Sequence, residues 1–142
     1  MEKNKRYKIL LIEPSEIVSA GMQAIIARNP EFVIEHTLSN PSYYNAQNSD
    51  IDIIIINPAV VDYNERLNIR SYFGKENVTI VALTQESYEE SVLRQYNGCI
   101  GIYDSAQRIV QKIKSAMEEA TQAPKSDINE LSTRERDILR AV

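Results

Sequence analysis

Residues 50–57 read DIDIIIIN and contain four consecutive isoleucines at positions 53–56. Isoleucine is β-branched and favours extended backbone. A continuous apolar run, unlike an alternating one, is typical of a strand that is covered on both faces, as in parallel sheets with helices above and below. The run therefore predicts an inner strand of an α/β protein.

Other short apolar runs lie on both sides of this strand along the chain. They are residues 7–12 (YKILLI), 32–37 (FVIEHT), 79–83 (TIVAL) and, more weakly, 99–103 (CIGIY). Helical patterns separate them at residues 16–29, 64–73, 87–96 and 105–120, with a short or irregular helix at 42–48. Five strands alternating with helices predict a doubly wound, flavodoxin-like (βα)5 fold with a parallel five-stranded sheet in the order 2-1-3-4-5.

The first and last of these helices are predicted to bury an apolar face with three- and four-residue spacing. Ser15 is the expected N-cap of the first helix. Its predicted buried residues are Ile17, Ala20, Gly21, Ala24 and Ile25. Those of the last helix are Ala106, Ile109, Val110, Ile113, Ala116, Met117 and Ala120.

The composition excludes several classes of protein. A chain of 142 residues has room for one full domain, and a net charge of −4 provides no positive field for a nucleic-acid backbone. One cysteine, Cys99, and one histidine, His36, exclude an internal disulfide and structural zinc. The apolar run behind the N-terminus ends at Glu13, too early for a signal peptide or a membrane span. We therefore expect a cytoplasmic protein with no membrane contact.

Function in doubly wound sheets gathers at the carboxyl ends of the strands. The stretches that follow the predicted strands are 13–15 (EPS), 57–58 (NP), 84–85 (TQ) and 104–105 (DS). We expect the residues of any site to come from these four places.

Four segments around these ends resemble the receiver domains of bacterial two-component response regulators, specifically those of the NarL/LuxR type. They are ILLIEPSEIVSAGM at 9–22, DIDIIIIN at 50–57, VTIVALT at 78–84 and NGCIGIYDS at 97–105. The resemblance covers residues 8 to about 120. It implies the receiver fold and a non-enzymatic, regulatory role in phosphorelay signalling.

The resemblance also implies that most of the chemistry of the family is lost. The family's acidic pair falls on Glu13 and Pro14, and its phosphoacceptor aspartate falls on Asn57. The Ser/Thr switch position is kept as Thr84, while the lysine position falls on Asp104 or Ser105. The family's switch aromatic matches Ile102 directly, with Tyr103 next to it as the candidate.

Phosphorylation needs a carboxylate nucleophile beside Mg²⁺, and Mg²⁺ favours several oxygen ligands with negative charge among them. The amide of Asn57 is no such nucleophile, and Pro58 has no N–H with which to deamidate it. We expect Mg²⁺ binding to be weak or absent, and no other cofactor. Asp62 or Asp104 would restore a metal site only by turning inward, which their spacing does not require.

Two residue types of common functional use have simpler interpretations here. Cys99 is predicted to be a small buried hydrophobic residue, because no neighbouring cation in the sequence lowers its pKa toward that of a redox sensor. His36 lies on a predicted strand and is interpreted as a structural or exposed histidine.

The composition changes after the last predicted helix. Residues 1–120 form the predicted receiver-like domain, and 121–130 (TQAPKSDINE) are polar and predict a linker. Residues 131–142 (LSTRERDILRAV) resemble the opening of a LuxR-type helix-turn-helix domain, whose recognition helix would lie beyond Val142. Val142 is then either a natural end or a cut within a longer protein.

These features predict a phosphorylation-independent pseudo-receiver that controls an attached DNA-binding domain. It would act by homodimerisation or by packing against that domain. The family's dimer surfaces would match residues 87–96 and 105–120, or residues 16–29. A partner regulator or a kinase is a further expected partner. The alternatives are a flavodoxin-like domain that senses a small molecule and a stand-alone protein-interaction adaptor.

Overall fold

The computed structural model describes residues 6–41, 50–73 and 77–126. Within them lies one parallel sheet in the order β2-β1-β3-β4-β5, as predicted. The strands are β1 (Tyr7–Ile12), β2 (Phe32–Leu38), β3 (Ile53–Ile56), β4 (Thr79–Thr84) and β5 (Gly98–Gly101). The helices are α1 (Glu16–Ala27), α2 (Tyr63–Leu67), α3 (Ile69–Phe73), α4 (Glu90–Leu93) and α5 (Ala106–Ser126).

The four isoleucines of β3 are fully buried between two hydrophobic cores, because successive side chains of a strand point to opposite faces. Ile53 and Ile55 pack in the core that contains residues of α1 and α5. Ile54 and Ile56 pack in the core that contains residues of α3 and α4. The predicted inner strand, covered on both faces, is confirmed.

The predicted buried face of α1 is wrong for most of its residues. The buried residues are Met22 and Ile26, and Ile17 is 85% exposed. The helix carries two adjacent apolar stripes. The stripe with the larger side chains faces the sheet because it removes more apolar surface from water than alanine and glycine do.

Helix α5 buries Ile109, Ile113 and Ala116 as predicted. It continues to Ser126, whereas the sequence placed its end at residue 120 and a linker at 121–130. The prediction ended with the apolar stripe, but a helix can continue through residues that carry no such stripe. The predicted start of a helix-turn-helix domain at 131–142 lies outside the described residues, as does the irregular helix at 42–48.

The middle helices are shorter than predicted. The stretch 64–73 forms α2 and α3, which are separated by Asn68 with φ −132° and ψ 41°, outside the helical region. Within the stretch 87–96, the α-helix is limited to the four residues of α4. The turns that follow are closed by hydrogen bonds to the residue three positions earlier, such as that from the Tyr96 N–H to the Leu93 carbonyl. No helix in the described residues is long and apolar enough to span a membrane.

Candidate functional site

Glu13 and Asn57 lie side by side at the carboxyl edge of the sheet, because they directly follow the paired strands β1 and β3. The backbone N–H of Asn57 donates to the Ile12 carbonyl at 3.0 Å, which extends the pairing by one residue. Both side chains are buried, with exposed fractions of 4% for Glu13 and 5% for Asn57. The strand ends therefore bring together the two positions that the resemblance singled out.

The two side chains are joined by a hydrogen bond in which Asn57 Nδ2 donates to Glu13 Oε1 at 3.1 Å. Glu13 Oε2 accepts from the Ser15 backbone N–H at 2.8 Å and from Gln85 Nε2 at 3.4 Å. The carbonyl oxygen of Asn57 accepts from the Ala59 N–H at 2.9 Å. Every oxygen of this buried pair thus has a donor within the protein.

This donor set does not fit Mg²⁺. The ion takes oxygen ligands with negative charge among them, and the one carboxylate of the pair, Glu13, already accepts three hydrogen bonds. Pro14, in the second acidic position, is exposed and has no side-chain oxygen. Within the described ranges, no three His, Cys, Asp or Glu residues are grouped so that they could hold a metal.

Gln85 was not predicted as a functional residue, although the stretch that contains it was. The sequence signal was an amide directly after β4, which the parallel topology brings to the edge that carries Glu13. Its neighbour Thr84 is half-buried and donates from Oγ1 to the Ile100 carbonyl at 3.3 Å, toward β5. In the described part of the chain, no hydrogen bond joins Thr84 to Glu13, Asn57 or Gln85.

Asp104, one of the two candidates for the family's lysine position, forms its own ion pair. Asp104 Oδ2 accepts from the Gly101 backbone N–H at 2.9 Å and from Lys112 Nζ at 2.9 Å. The Gly101 N–H, followed by Lys112, holds the pKa of Asp104 below its usual value. Ser105, the other candidate for this position, accepts from the Arg108 N–H at 3.1 Å at the start of α5. Lys112 was not predicted, because it lies on α5, eight residues after Asp104 and outside the stretches that follow the strands.

The remaining candidates lie apart from the Glu13–Asn57 pair. Tyr103 is 90% exposed, whereas Ile102 packs against the core on the α1 and α5 side. Asp62 forms the capping box of α2 with Glu65. His36 is exposed on β2, and Cys99 is half-buried with its Sγ 3.9 Å from Thr84 Oγ1.

No protein-family model matches the sequence, and a search of the curated proteins finds no match. Solved structures do resemble the fold. The response regulator ChrA of a heme-sensing two-component system is 16% identical, with a TM-score of 0.64 over 94% of this chain and 73% of that one. A LuxR-family response regulator from Aurantimonas sp. SI85-9A1 is 15% identical, with a TM-score of 0.65 over 88% of this chain and 100% of that one.

A third similar structure is RcsB from Salmonella enterica serovar Typhimurium, bound to the promoter rprA. It is 10% identical, with a TM-score of 0.65 over 78% of this chain and 98% of that one. Identities this low establish the fold alone. The chain therefore has the flavodoxin-like fold of response-regulator receiver domains.

Proposed function

We propose that this chain is the regulatory, phosphorylation-independent pseudo-receiver domain of a two-component-type transcriptional regulator. The observation that carries the proposal is the buried hydrogen bond from Asn57 Nδ2 to Glu13 Oε1. The resemblance assigns position 57 to the phosphoacceptor carboxylate, and an amide is a poor nucleophile.

Three further features of the same edge support the loss of phosphoryl chemistry. Pro14 supplies no acid for a metal. Asp104, one of the two candidates for the position of the lysine that meets the phosphoryl oxygens in the family, carries a negative charge. The hydroxyl of Thr84 is engaged with β5. Asn57, Asp104 and Thr84 thus make their contacts within the chain.

Regulation by such a domain would act through its surfaces. The exposed stripe of α1, which contains Ile17 and Gly21, supports homodimerisation through the first helix, because a side chain placed on Gly21 would meet no atom within 4 Å. The likeness of the fold to LuxR-family regulators, and to RcsB on its promoter, supports DNA as the target of an attached helix-turn-helix domain. A kinase or a second regulator remains a possible partner.

The test is to incubate the protein with Mg²⁺ and acetyl phosphate and to measure its intact mass. We expect no added phosphoryl group. Stable incorporation at residue 57 or at a neighbouring residue would overturn the proposal. A response-regulator receiver with an intact acidic pair and phosphoacceptor, treated in parallel, shows that the phosphodonor is active.

A second candidate function is the sensing of a small molecule, which is favoured by a buried hydroxyl that has no hydrogen-bond partner among the described residues. That hydroxyl belongs to Tyr96, which follows α4.

A further inference from the structure

The amide of Asn97 is the centre of a hydrogen-bond network at the amino edge of the sheet, directly before β5. Its Oδ1 accepts from the Ile80 backbone N–H at 2.9 Å and from Arg70 Nη2 at 2.6 Å. Its Nδ2 donates to Glu119 Oε1 at 2.5 Å. One side chain thus joins the starts of β4 and β5 to α3 and α5.

Asn97 is also the one asparagine in the sequence that is followed by glycine. A backbone nitrogen attacks the amide carbon of the preceding asparagine most readily when its own residue has no Cβ, because nothing then crowds the ring that forms. At Asn57 the same attack is blocked by Pro58. A Cβ at position 98 would lie 2.8 Å from the Ala116 Cβ. The packing of α5 on β5 therefore requires the glycine that makes Asn97 reactive.

The two donors to Oδ1 lie where negative charge develops during this attack. When the Gly98 nitrogen adds to Cγ, Oδ1 becomes an oxyanion, and fixed N–H groups stabilise an oxyanion more than a neutral carbonyl oxygen. Arg70 is positioned by a second hydrogen bond, from Nη1 to the Val78 carbonyl at 2.9 Å. Neither donor to Oδ1 can accept a hydrogen bond, so the atom between them is the oxygen of the amide and not its nitrogen.

We propose that Asn97 is a self-modification site, at which the chain deamidates its own asparagine while Arg70 and the Ile80 N–H stabilise the oxyanion. The bond that forms joins the Gly98 nitrogen to Asn97 Cγ, and the bond that breaks is Cγ–Nδ2. The attacking nitrogen loses its proton to water, and the leaving nitrogen gains one from water and departs as ammonia. A water molecule then opens the resulting succinimide to aspartate or isoaspartate, so the net reaction is a hydrolysis.

The product changes what holds α5. An aspartate at position 97 still accepts from Ile80 and Arg70, but it has no N–H for Glu119, and two like charges then face each other where a hydrogen bond was. The site lies at the edge of the sheet opposite Asn57, because Asn97 precedes its strand and Asn57 follows its strand. It is therefore an input separate from phosphoryl chemistry, and it stands or falls independently of the proposed function.

The experiment incubates the whole folded chain at mildly alkaline pH in water labelled with heavy oxygen, without Mg²⁺ or a phosphodonor. Peptide masses then give the rate at which each asparagine takes up the label, and released ammonia is the second readout. Asn64 and Asn68 are the controls within the same sample, because both are exposed and neither is followed by glycine. The variant is Arg70→Gln, and its matched control is Arg94→Gln, which removes an exposed arginine at the end of α4.

We expect Asn97 to convert tenfold or more faster than Asn64 and Asn68. Arg70→Gln should slow this conversion threefold or more, whereas Arg94→Gln should change it less than twofold. If Arg70→Gln fails to fold, Arg70→Lys is the decisive variant, since a lysine keeps the charge but lacks the planar fork that reaches both Val78 and Asn97. Its conversion should be slowed twofold or more.

Two results would overturn the proposal. Conversion of Asn97 no faster than that of Asn64 and Asn68 would exclude the reaction in the folded chain. Equal or faster conversion in a folded Arg70 variant would show that the network protects the amide instead of activating it.

Discussion

The substitution Asn57→Asp tests the buried pair directly. It removes the donor that Glu13 Oε1 receives at 3.1 Å and puts a second acid in its place, at a position that is 5% exposed. Two ionised carboxylates about 4 Å apart repel by about 4 kcal/mol at an effective dielectric constant of about 20. Burying a second charge adds a desolvation cost to this repulsion, so the pair is expected to keep one proton in the folded state.

Holding that proton has a cost that depends on pH. A carboxyl with an unfolded pKa of about 3.9 needs about 4 kcal/mol to stay protonated at pH 7 and about 1.5 kcal/mol at pH 5. The folded pKa of the introduced carboxyl lies above the unfolded value, so the folded state binds more protons and the variant gains stability as pH falls. The loss relative to the wild type should be largest at neutral pH.

The assay is urea unfolding of the wild type and of Asn57→Asp from pH 7 to pH 5. Asn57→Ala is the control, because it loses the hydrogen bond without adding charge and should show a difference that does not vary with pH. Adding Glu13→Gln to Asn57→Asp should remove most of the pH dependence. A variant as stable as the wild type at pH 7, or a loss independent of pH, would refute the reasoning.

The same variant bears on the chemistry. Asn57→Asp restores a nucleophile but leaves Pro14 in the second acidic position, so the metal still lacks a ligand. We expect no phosphorylation with acetyl phosphate and Mg²⁺ unless Pro14→Asp is added. Mg²⁺-dependent phosphorylation of the single variant would contradict the conclusion that these residues do not fit Mg²⁺.

Three other outcomes are expected. Gly98→Ala should lower the free energy of unfolding in urea by about 1–3 kcal/mol, because its new methyl would lie 2.8 Å from the Ala116 Cβ; the same loss in Gly21→Ala, which meets nothing, would contradict this cause. The pKa of Asp104 is lowered by the Gly101 N–H and by Lys112, so its contribution to stability is complete above the unfolded pKa and disappears as pH falls through the folded pKa. Asp104→Asn should therefore weaken the loss of stability in acid, measured by urea unfolding at decreasing pH. An unchanged loss in acid would count against this role of Asp104. Ile17→Asp should shift a dimer to monomer in sedimentation while the monomer stays folded, as the side chain is 85% exposed; an unchanged dimer would rule out pairing through α1.

The strands could be predicted from the sequence because each is a distinct apolar run, and β3 was predicted to the residue. Their order was predicted from the order that is common in doubly wound folds. The buried face of α1 could not be predicted, since Ile17 and Met22 belong to two adjacent apolar stripes. Which stripe is buried depends on which of the larger side chains reach the sheet. The length of α5 could not be predicted either, because its last turns have a polar sequence that continues no apolar pattern. Local periodicity thus predicts the elements, while packing determines their orientation and ends.

The candidate site divides in the same way. Parallel topology places Glu13 and Asn57 at one edge, and the residue types alone predict the loss of the nucleophile. Which groups replace the missing ones depends on side-chain direction. Gln85 turns toward Glu13, Thr84 turns toward β5, and Lys112 reaches back to Asp104 from the next helix.

The replacements form a consistent charge balance. A buried carboxylate such as Glu13 needs donors, and it receives them from the Ser15 N–H, Asn57 and Gln85. Asparagine at position 57 serves this need because it donates to Glu13 while its carbonyl accepts from Ala59. An aspartate at position 57 would be a better nucleophile, but its carboxylate would repel that of Glu13. The amide therefore stabilises the buried carboxylate of Glu13, and these hydrogen bonds help to keep this edge of the sheet folded.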